Sequence, residues 1–437
     1  MGKYFGTDGI RGRYGVELSN AMAFQIGQSL KDVLGASRLV IGMDTRESSS
    51  ELMYSVVSGA QSIGIDVMVA GVVSTPLISL YSHLKQVAGV MITASHNPYK
   101  DNGIKVFQSG KKLSLEQEEG IEQYIDNIRE FEVKRFGDTY SGEDVLDTYL
   151  DLIESLDLYE TDLRIGIDSA NGANYLIARG IFQELTESFY QMGDHPNGTN
   201  INDGVGSTHI EAIQEFVKKW NLDIGFSFDG DGDRVLVVDH DQTVIDGDQI
   251  IYLLACYLKE QGLLKQDTVV LTKMSNLGII KALEQKGISV VLTNVGDKYV
   301  LEAIEEGGYS LGGENSGHII LRDYLHTGDG ILVALMVLTV LGATGRTLSE
   351  LLEDVTMWPQ ELVNIRTFNK EILKDERVQS VVNDVINTLG DNGKVLVRAS
   401  GTEPLIRVTI SCPTQEELDR HMRRITDIIQ LVKEEVQ

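Results

Sequence analysis

Apolar and polar positions along the chain fall into a pattern that returns at long spacing. Ser19 to Leu34 carries apolar residues at helical intervals, after which Arg38-Leu-Val-Ile-Gly-Met makes a short apolar run that stops on Asp44. The phrase recurs as Leu163-Arg-Ile-Gly-Ile-Asp168 and, more faintly, as Thr268-Val-Val-Leu-Thr-Lys-Met-Ser275-Asn276. Each run reads as a strand, and each is followed by a helical stretch, a second apolar strand and then a third. In the first copy the second strand spans Asp66 to Val73, and the third, Val90 to Thr93, stops at Ala94-Ser95-His96-Asn97. In the second copy the third strand, Leu222 to Phe228, runs into Asp229-Gly-Asp231-Gly-Asp233-Arg234. In the third copy Ser289 to Leu292 is the second strand, and the third leads from Tyr309 into Gly312-Gly-Glu314-Asn315-Ser316-Gly317-His318. Three copies of one α/β unit are predicted, each delivering a polar loop from the same place.

The tail breaks the pattern. Asp375 to Leu389 and Thr414 to Val436 read as helices, while Lys394 to Val397 and Leu405 to Ile410 read as a hairpin around Arg398-Ala-Ser400-Gly401-Thr402-Glu403-Pro404. The expected architecture is therefore α/β: three similar α/β domains of mixed sheets with flanking helices, at 1–154, 155–255 and 256–368, and a smaller C-terminal α+β domain at 369–437. The acidic stretch Glu116 to Asp126 reads as the solvated face of a helix. Ile331 to Leu341, nearly all apolar, is shorter than the roughly 20 residues that cross a bilayer and reads as a buried helix.

Charge narrows the partners. A formal net charge of -27, from 38 basic and 65 acidic residues, excludes nucleic acid, whose phosphate backbone calls for a basic face. An anionic small substrate then has to be held by local positive charge against the global field. Cys256 and Cys412, in apolar contexts without CxxC spacing, predict neither a disulfide framework nor a zinc site, and a reducing cytoplasm fits them. No secretory leader is expected, since Lys3-Tyr4-Phe5-Gly6 leads straight into folding sequence. No membrane partner is expected either, and the sequence is compatible with a homodimer.

The loops differ in what they offer. Ser95 stands where an apolar strand stops, at the strand end where open α/β sheets place their chemistry, with Asn97-Pro98 and Asp101-Asn102-Gly103 as turn signals. Taken alone it is one more loop serine. Lys105 lies close to it if the loop folds back on itself. Asp229, Asp231 and Asp233 alternate with glycines; carboxylates so close repel and want a cation, and hard oxygen donors suit Mg²⁺ or Ca²⁺. An EF-hand fails here, because its sixth position is Arg234 instead of Gly and its twelfth is His240 instead of Glu. Three ligands leave positions open, which suits a Mg²⁺ that also holds a phosphate oxygen.

In the third loop, Glu314 and Ser316 are candidates to bond vicinal sugar hydroxyls, and His318 to bond those hydroxyls or a phosphate, among glycines that permit close approach. Arg398, Ser400, Gly401 and Thr402, with Arg407 across the hairpin, make up the inventory of a phosphate cradle; a β-turn stapled by Ser and Thr is the plainer reading. Arg11 lies in the Gly-rich run Gly6 to Gly12, which lacks a nucleotide-binding pattern, and is a further candidate phosphate ligand.

Taken together, TASHNPYKDNGIKVF, DGDGDR, GGENSGH and RASGTEPLIRV, in this order across the whole chain, resemble the α-D-phosphohexomutase family. The opening KYFGTDGIRGRYG, the MSNLG at Met274 to Gly278, the VGDKYVLE at Val295 to Glu302 and the Asn inside GGENSGH are similar to members that act on glucosamine phosphates. The resemblance implies that the four domains surround one central cleft. It also implies that glucosamine 6-phosphate and glucosamine 1-phosphate, both small phosphosugars, are interconverted there through a bound bisphosphate, feeding UDP-N-acetylglucosamine and cell-wall precursors.

Carried over by position, Ser95 is the phosphorylated nucleophile beside His96, and its phosphate completes the Mg²⁺ shell of Asp229, Asp231 and Asp233. Arg11 and Lys105 stabilise phosphate and serve proton transfer, and Arg234 faces the reacting phosphate. Glu314, Ser316 and His318 read the sugar, while Arg398, Ser400, Gly401, Thr402 and Arg407 hold the phosphate that does not react. Glucosamine or glucose 1,6-bisphosphate is the expected activator. The intermediate has to turn over between the two transfers, which asks for a mobile C-terminal domain. Two alternatives stay open: a mutase of mannose or glucose phosphates, and a non-catalytic Ca²⁺ or sugar-phosphate binding protein that keeps the fold.

Overall fold

Buried parallel strands are covered on both faces and so read as continuous apolar runs; the three runs found in the sequence occupy that position in three sheets. The computed structural model describes residues 2–6, 8–127, 135–156, 158, 161–399 and 404–436. Arg38–Met43 lies between two parallel partners, Asp66–Val72 and Ala88–Ile92, and Asp101–Gln108 returns antiparallel beside Ala88–Ile92. Ile165–Asp168 lies in the same way between Phe189–Met192 and Ile224–Phe228, with Val235–Asp239 returning. Thr268–Thr272 lies between Ser289–Thr293 and Leu311–Gly313, with Ile319–Leu321 returning. The sheets are mixed, as expected, and each polar loop is the hairpin between the last parallel strand and its antiparallel return.

By its internal contacts the chain divides into two compact units, Met1–Lys273 with Ile288–Leu352, and Met274–Gly287 with Glu353–Gln437. All three repeated sheets belong to the first unit. Its first sheet is extended by Thr139–Ser141 at one edge and by Gly9–Arg13 and Phe5–Gly6 at the other. That extension brings Arg11 into register with Gly103. The turn signal at Asp101-Asn102-Gly103 proves to be the start of a strand, and the turn itself closes earlier, where Asn97 N donates to Ala94 O at 3.1 Å and Asp101 N donates to Pro98 O at 3.1 Å. Gly103 serves a close strand passage instead, since a Cβ there would lie 2.4 Å from Thr93 O.

Helix ends follow the local chemistry. Ser19 caps Asn20–Leu34 by accepting from Met22 N at 3.3 Å, and Gly35, at φ 67°, ends it in the left-handed region. The apolar segment forms the helix Gly330–Thr344, buried over most of its length and capped by Asp329. Among the described residues no helix is long and apolar enough to cross a membrane.

The helix Leu115–Asp126 departs from a purely solvated face in one residue. Glu122 is buried, with Oε1 accepting from Tyr4 N at 2.6 Å and Phe5 N at 2.9 Å and Oε2 accepting from Lys3 N at 3.0 Å. The amino-terminal strand is thereby tied to the helix.

The second unit is an antiparallel sheet of Gln360–Arg366, Leu405–Ser411 and Lys394–Ala399, with the helices Glu376–Leu389 and Gln415–Val436. Its core includes Ile406, Val408, Val378, Val385 and Ile425. The helix Leu277–Gln285 is part of this unit, where Asn276 Nδ2 donates to Trp358 O at 2.9 Å.

The Glu122 contacts have a measurable consequence. Burial pushes its carboxyl pKa up, but the three backbone N–H donors outweigh burial and hold it below the usual range. A depressed folded-state pKa stabilises the fold above the unfolded value of about 4.3, and that contribution is lost as pH falls through the folded value. Glu122→Gln is expected to cost about 1.5–3 kcal/mol at pH 7, as for hydrogen bonds to a charged group. In urea unfolding followed at several pH values, the gap between parent and variant should shrink once pH drops below 4.

Candidate active site

Ser95 is fully buried and sits at φ 53°, a left-handed conformation that a non-glycine residue adopts at some cost. What holds it there is Arg46. The Arg46 side chain is wholly buried and bonds Asp44 Oδ2 through Nε at 2.8 Å. Its Nη1 donates to Pro98 O at 2.5 Å and Asp101 O at 3.0 Å, and its Nη2 to Ser95 O at 2.8 Å and Asn97 O at 2.9 Å. A guanidinium is the side chain able to serve four carbonyls and a carboxylate from one plane. Asp44 also accepts from Thr93 Oγ1 at 2.8 Å, and Asn202 of the second repeat donates to Ser95 O at 2.9 Å. The Asp44-Thr45-Arg46 phrase was visible as a strand ending in Asp; its purpose was not, because the loop it grips lies about 50 residues further on.

With its backbone fixed, Ser95 directs Oγ to Asp229 Oδ2 at 2.6 Å. His96 Nδ1 lies 3.3 Å from Ser95 Oγ. Burial, and then the positive charges of Arg234 and Arg11, push the His96 pKa down to about 4, so the imidazole is neutral at pH 7. Asp229, Asp231 and Asp233 are all buried, with ligand oxygens within 4.8 Å of one another. Gly230 lets this loop lie against the serine loop, since a Cβ on it would stand 2.5 Å from Ser95 O.

The protein engages one oxygen of Asp231 and one of Asp233 on a definite side, and both oxygens of Asp229. Asp231 Oδ2 accepts from Lys105 Nζ at 2.8 Å and from Thr75 Oγ1 at 2.5 Å, Asp233 Oδ2 accepts from Lys105 at 3.2 Å, and Asp229 Oδ1 accepts from Arg234 N at 3.2 Å. Asp231 Oδ1 and Asp233 Oδ1 accept no hydrogen bond among the described residues. Burial and the neighbouring Asp233 and Asp231 charges push the Asp229 pKa well above the usual carboxylate range. Buried carboxylates crowded together, two of them with idle oxygens, are what a divalent cation satisfies, so the residues fit a metal ion.

Lys105 does not simply fold back toward Ser95. It stands on the return strand, between Asp231, Asp233 and, at 2.9 Å, Asp8. Burial opposes its charge, but those three carboxylates raise its pKa well above the ordinary value. Asp8 also pairs with Arg11 at 2.5 Å and with Lys112 at 2.7 Å, and Lys112 reaches Asp297 at 2.5 Å. His318 closes the circuit, with Nδ1 3.6 Å from Asp233 Oδ1 and Nε2 3.7 Å from Asp297 Oδ2. Because Gly328 N donates to Nε2 at 3.1 Å, the proton of a neutral His318 sits on Nδ1 and faces Asp233. Arg234 Nε is 3.7 Å from Asp233 Oδ1.

In the third loop Glu314 Oε1 accepts from Gly296 N at 2.9 Å, while Ser316 Oγ is buried and has no partner among the described residues. Gly317, at φ 89°, leaves no room for a Cβ, which would fall 2.2 Å from Val235 O. The structure thus brings together Ser95, His96, Arg11, Lys105, the three aspartates, Arg234 and His318, with Glu314 and Ser316 on the adjoining loop. Arg398 and Arg407 face each other across paired strands of the second unit. Ser400, Gly401 and Thr402 lie outside the described residues. Besides Arg46 and Asp44, sequence reasoning passed over Asp8, Lys112, Asp297, Asn202 and Thr75, charged or polar residues whose partners are distant in sequence.

Comparison with known proteins meets this geometry. Residues 2–132, 147–242 and 246–357 match the Phosphoglucomutase/phosphomannomutase alpha/beta/alpha domains I, II and III, and 362–428 match the C-terminal domain of the same family. The chain belongs to the phosphoglucomutase/phosphomannomutase family. It is accordingly an enzyme of the phosphohexomutase group, an isomerase.

Among its relatives, the phosphoglucosamine mutase of Geobacillus thermodenitrificans (strain NG80-2) is 47% identical over 443 residues, 98% of each chain. That of Bacillus subtilis (strain 168) is 45% identical over 444 residues, again 98% of each. In fold the chain is similar to a phosphoglucomutase/phosphomannomutase family protein from Burkholderia thailandensis, with TM-score 0.82, 24% identity and coverage of 98% and 97%. It is also similar to the Aspergillus fumigatus N-acetylphosphoglucosamine mutase solved with GlcNAc-6P and magnesium, with TM-score 0.68, 18% identity and coverage of 98% and 96%.

Arg46 gives the test of this local architecture. Arg46→Ala leaves Asp44 without its buried counter-ion and several carbonyls without donors, a loss expected to cost about 3–5 kcal/mol. Arg46→Lys keeps the charge and loses the fork, so it should recover only part of the stability in urea unfolding and little of the activity.

Proposed function

We propose that this enzyme interconverts glucosamine 6-phosphate and glucosamine 1-phosphate, with Ser95 carrying the phosphoryl group. The observation that carries the reading is a buried serine hydroxyl 2.6 Å from a carboxylate of a three-aspartate cluster. The substrate follows the relatives at 47% and 45% identity, which are named for it. Phosphorylated Ser95 gives its phosphoryl group to the free hydroxyl of the sugar monophosphate: the Oγ–P bond breaks as the sugar O–P bond forms, and the proton lost by the sugar hydroxyl is balanced by the one gained at Ser95 Oγ. The bisphosphate turns over and returns its other phosphoryl group to Ser95 Oγ. Bisphosphate that escapes is replaced from solution, so glucosamine or glucose 1,6-bisphosphate acts as activator.

A Mg²⁺ held by Asp229, Asp231 and Asp233 would neutralise charge on the transferring phosphoryl oxygens. Arg11 and Arg234 supply further positive charge beside Ser95. Lys105, kept protonated by three carboxylates, acts as a fixed cation and is a poor proton acceptor. His96, neutral at pH 7, can hold the Oγ proton of unphosphorylated Ser95 at Nδ1. Glu314 and Ser316 read the sugar, the idle Ser316 Oγ being free to take one of its hydroxyls, whereas His318, 2% exposed with both ring nitrogens turned to protein groups, supports the aspartates instead of the sugar. Arg398, Ser400, Gly401, Thr402 and Arg407 bind the phosphate that does not react. The four domains follow one another along the chain, and the fourth takes in the strand Gln360–Arg366, so that it starts before 369. The setting is the cytoplasm, in keeping with two cysteines that form no disulfide, and the product feeds UDP-N-acetylglucosamine synthesis.

Two measurements test this. With bisphosphate present, turnover of glucosamine 6-phosphate should exceed that of mannose 1-phosphate and glucose 1-phosphate by at least tenfold, a difference of about 1.4 kcal/mol in transition-state binding; equal rates would overturn the substrate assignment. Intact mass should show one phosphate that phosphatase removes from the parent and that Ser95→Ala never carries, and Ser95→Ala should be inactive. Full activity in that variant would rule out the phosphoserine.

A further inference from the structure

The aspartate loop belongs to the second repeat, yet part of its support comes from the first. The helix Thr75–Lys85 begins against it: Thr75 N donates to Asp231 O at 3.0 Å, and Thr75 Oγ1 donates to Asp231 Oδ2 at 2.5 Å. Thr75 is 1% exposed, so this hydroxyl has no water to exchange with. Two other segments fix the same loop by its backbone, Ala173 N donating to Gly230 O at 2.9 Å and Gly330 N to Gly232 O at 3.0 Å. Among the described residues, only at Asp231 does a neighbouring repeat hold both the backbone and the carboxylate.

The consequence lies in which oxygen is left over. Asp231 Oδ2 is committed to the Thr75 hydroxyl and the Lys105 ammonium, and Oδ1 is buried without a hydrogen-bond partner among the described residues. A carboxylate held by a single cation can swing about its last torsion, which is broad and roughly two-fold. A second donor with a fixed direction removes that freedom, and a Thr in the first turn of a helix has its Cβ fixed by the backbone. Losing an outer donor of this kind typically weakens a metal site by roughly 10- to 100-fold.

We propose that Thr75 is a positioning residue of the metal centre: by holding Asp231 Oδ2 from the first repeat it presents Oδ1 to the cation and makes metal affinity depend on how the first two repeats are packed. The inference rests on the reading that a divalent ion sits at the three aspartates, and the test separates the two.

Mn²⁺ alone is titrated into dephosphorylated full-length protein, with free Mn²⁺ followed by electron paramagnetic resonance, for the parent, Asp231→Asn, Thr75→Val and Thr75→Ser. Thr75→Val keeps the branched shape and removes the hydroxyl, so its dissociation constant should rise 10- to 100-fold, while Thr75→Ser stays within about threefold of the parent. In turnover, Thr75→Val should need more Mg²⁺ for half-saturation yet keep its kcat at saturating Mg²⁺, a split that general loosening of the fold does not produce. Parent-like Mn²⁺ binding by Thr75→Val overturns the inference. A parent that binds no Mn²⁺ removable by Asp231→Asn overturns the metal reading itself. Should Thr75→Val not fold, Thr75→Ala, smaller on every side, replaces it with the same two outcomes.

Discussion

Asp229, Asp231 and Asp233 lie buried with oxygens within 4.8 Å of one another, and at an effective dielectric of about 20 each such pair of charges repels by about 3 to 4 kcal/mol. The surrounding structure answers that repulsion with cations drawn from outside the loop. Lys105 comes from the return strand of the first repeat, and Asp8 both balances it and gathers Arg11 and Lys112. Lys112 passes the pairing to Asp297 in the third repeat, and His318 leads back to Asp233. From Asp231 through Lys105, Asp8 and Lys112 to Asp297, alternating charges therefore run through all three repeats. Each member is placed by its neighbours of opposite sign, and the positive members stand where a phosphate would need them.

Three hairpins supply this chemistry because one strand order is used three times. In each repeat the last parallel strand reaches the end of the sheet where open α/β folds leave room for ligands, and its antiparallel return carries the chain back. The strands keep the loops in equivalent places while the loop residues remain free to differ. One hairpin therefore offers a hydroxyl, the next three carboxylates, and the third a Glu, a Ser and a His. A phosphoryl carrier, a cation site and a sugar reader can thus meet without any one loop performing two tasks.

The interior of each repeat was legible because apolar periodicity reports burial directly. Strands such as Ser289–Thr293 and the helix Asn20–Leu34 fall within a residue or two of where the pattern puts them. Gly103 misled because a glycine wanted for a turn and one wanted for a close strand crossing look the same in sequence. Glu122 misled for a related reason: on an acidic helix face, nothing local marks the one carboxylate that turns inward to three backbone donors.

The sequence by itself determined the repeat, the sheet class and the residue types that make the chemistry, because strand burial and the repulsion of spaced carboxylates are local properties of the chain. Tertiary structure alone decided the supports: Arg46 gripping a loop about 50 residues away, Thr75 bonded to Asp231 from another repeat, and Asp8 shared among three cations. A buried polar group chooses its partner by distance in space and by what else is unsatisfied nearby. Neither quantity exists until the sheets have packed.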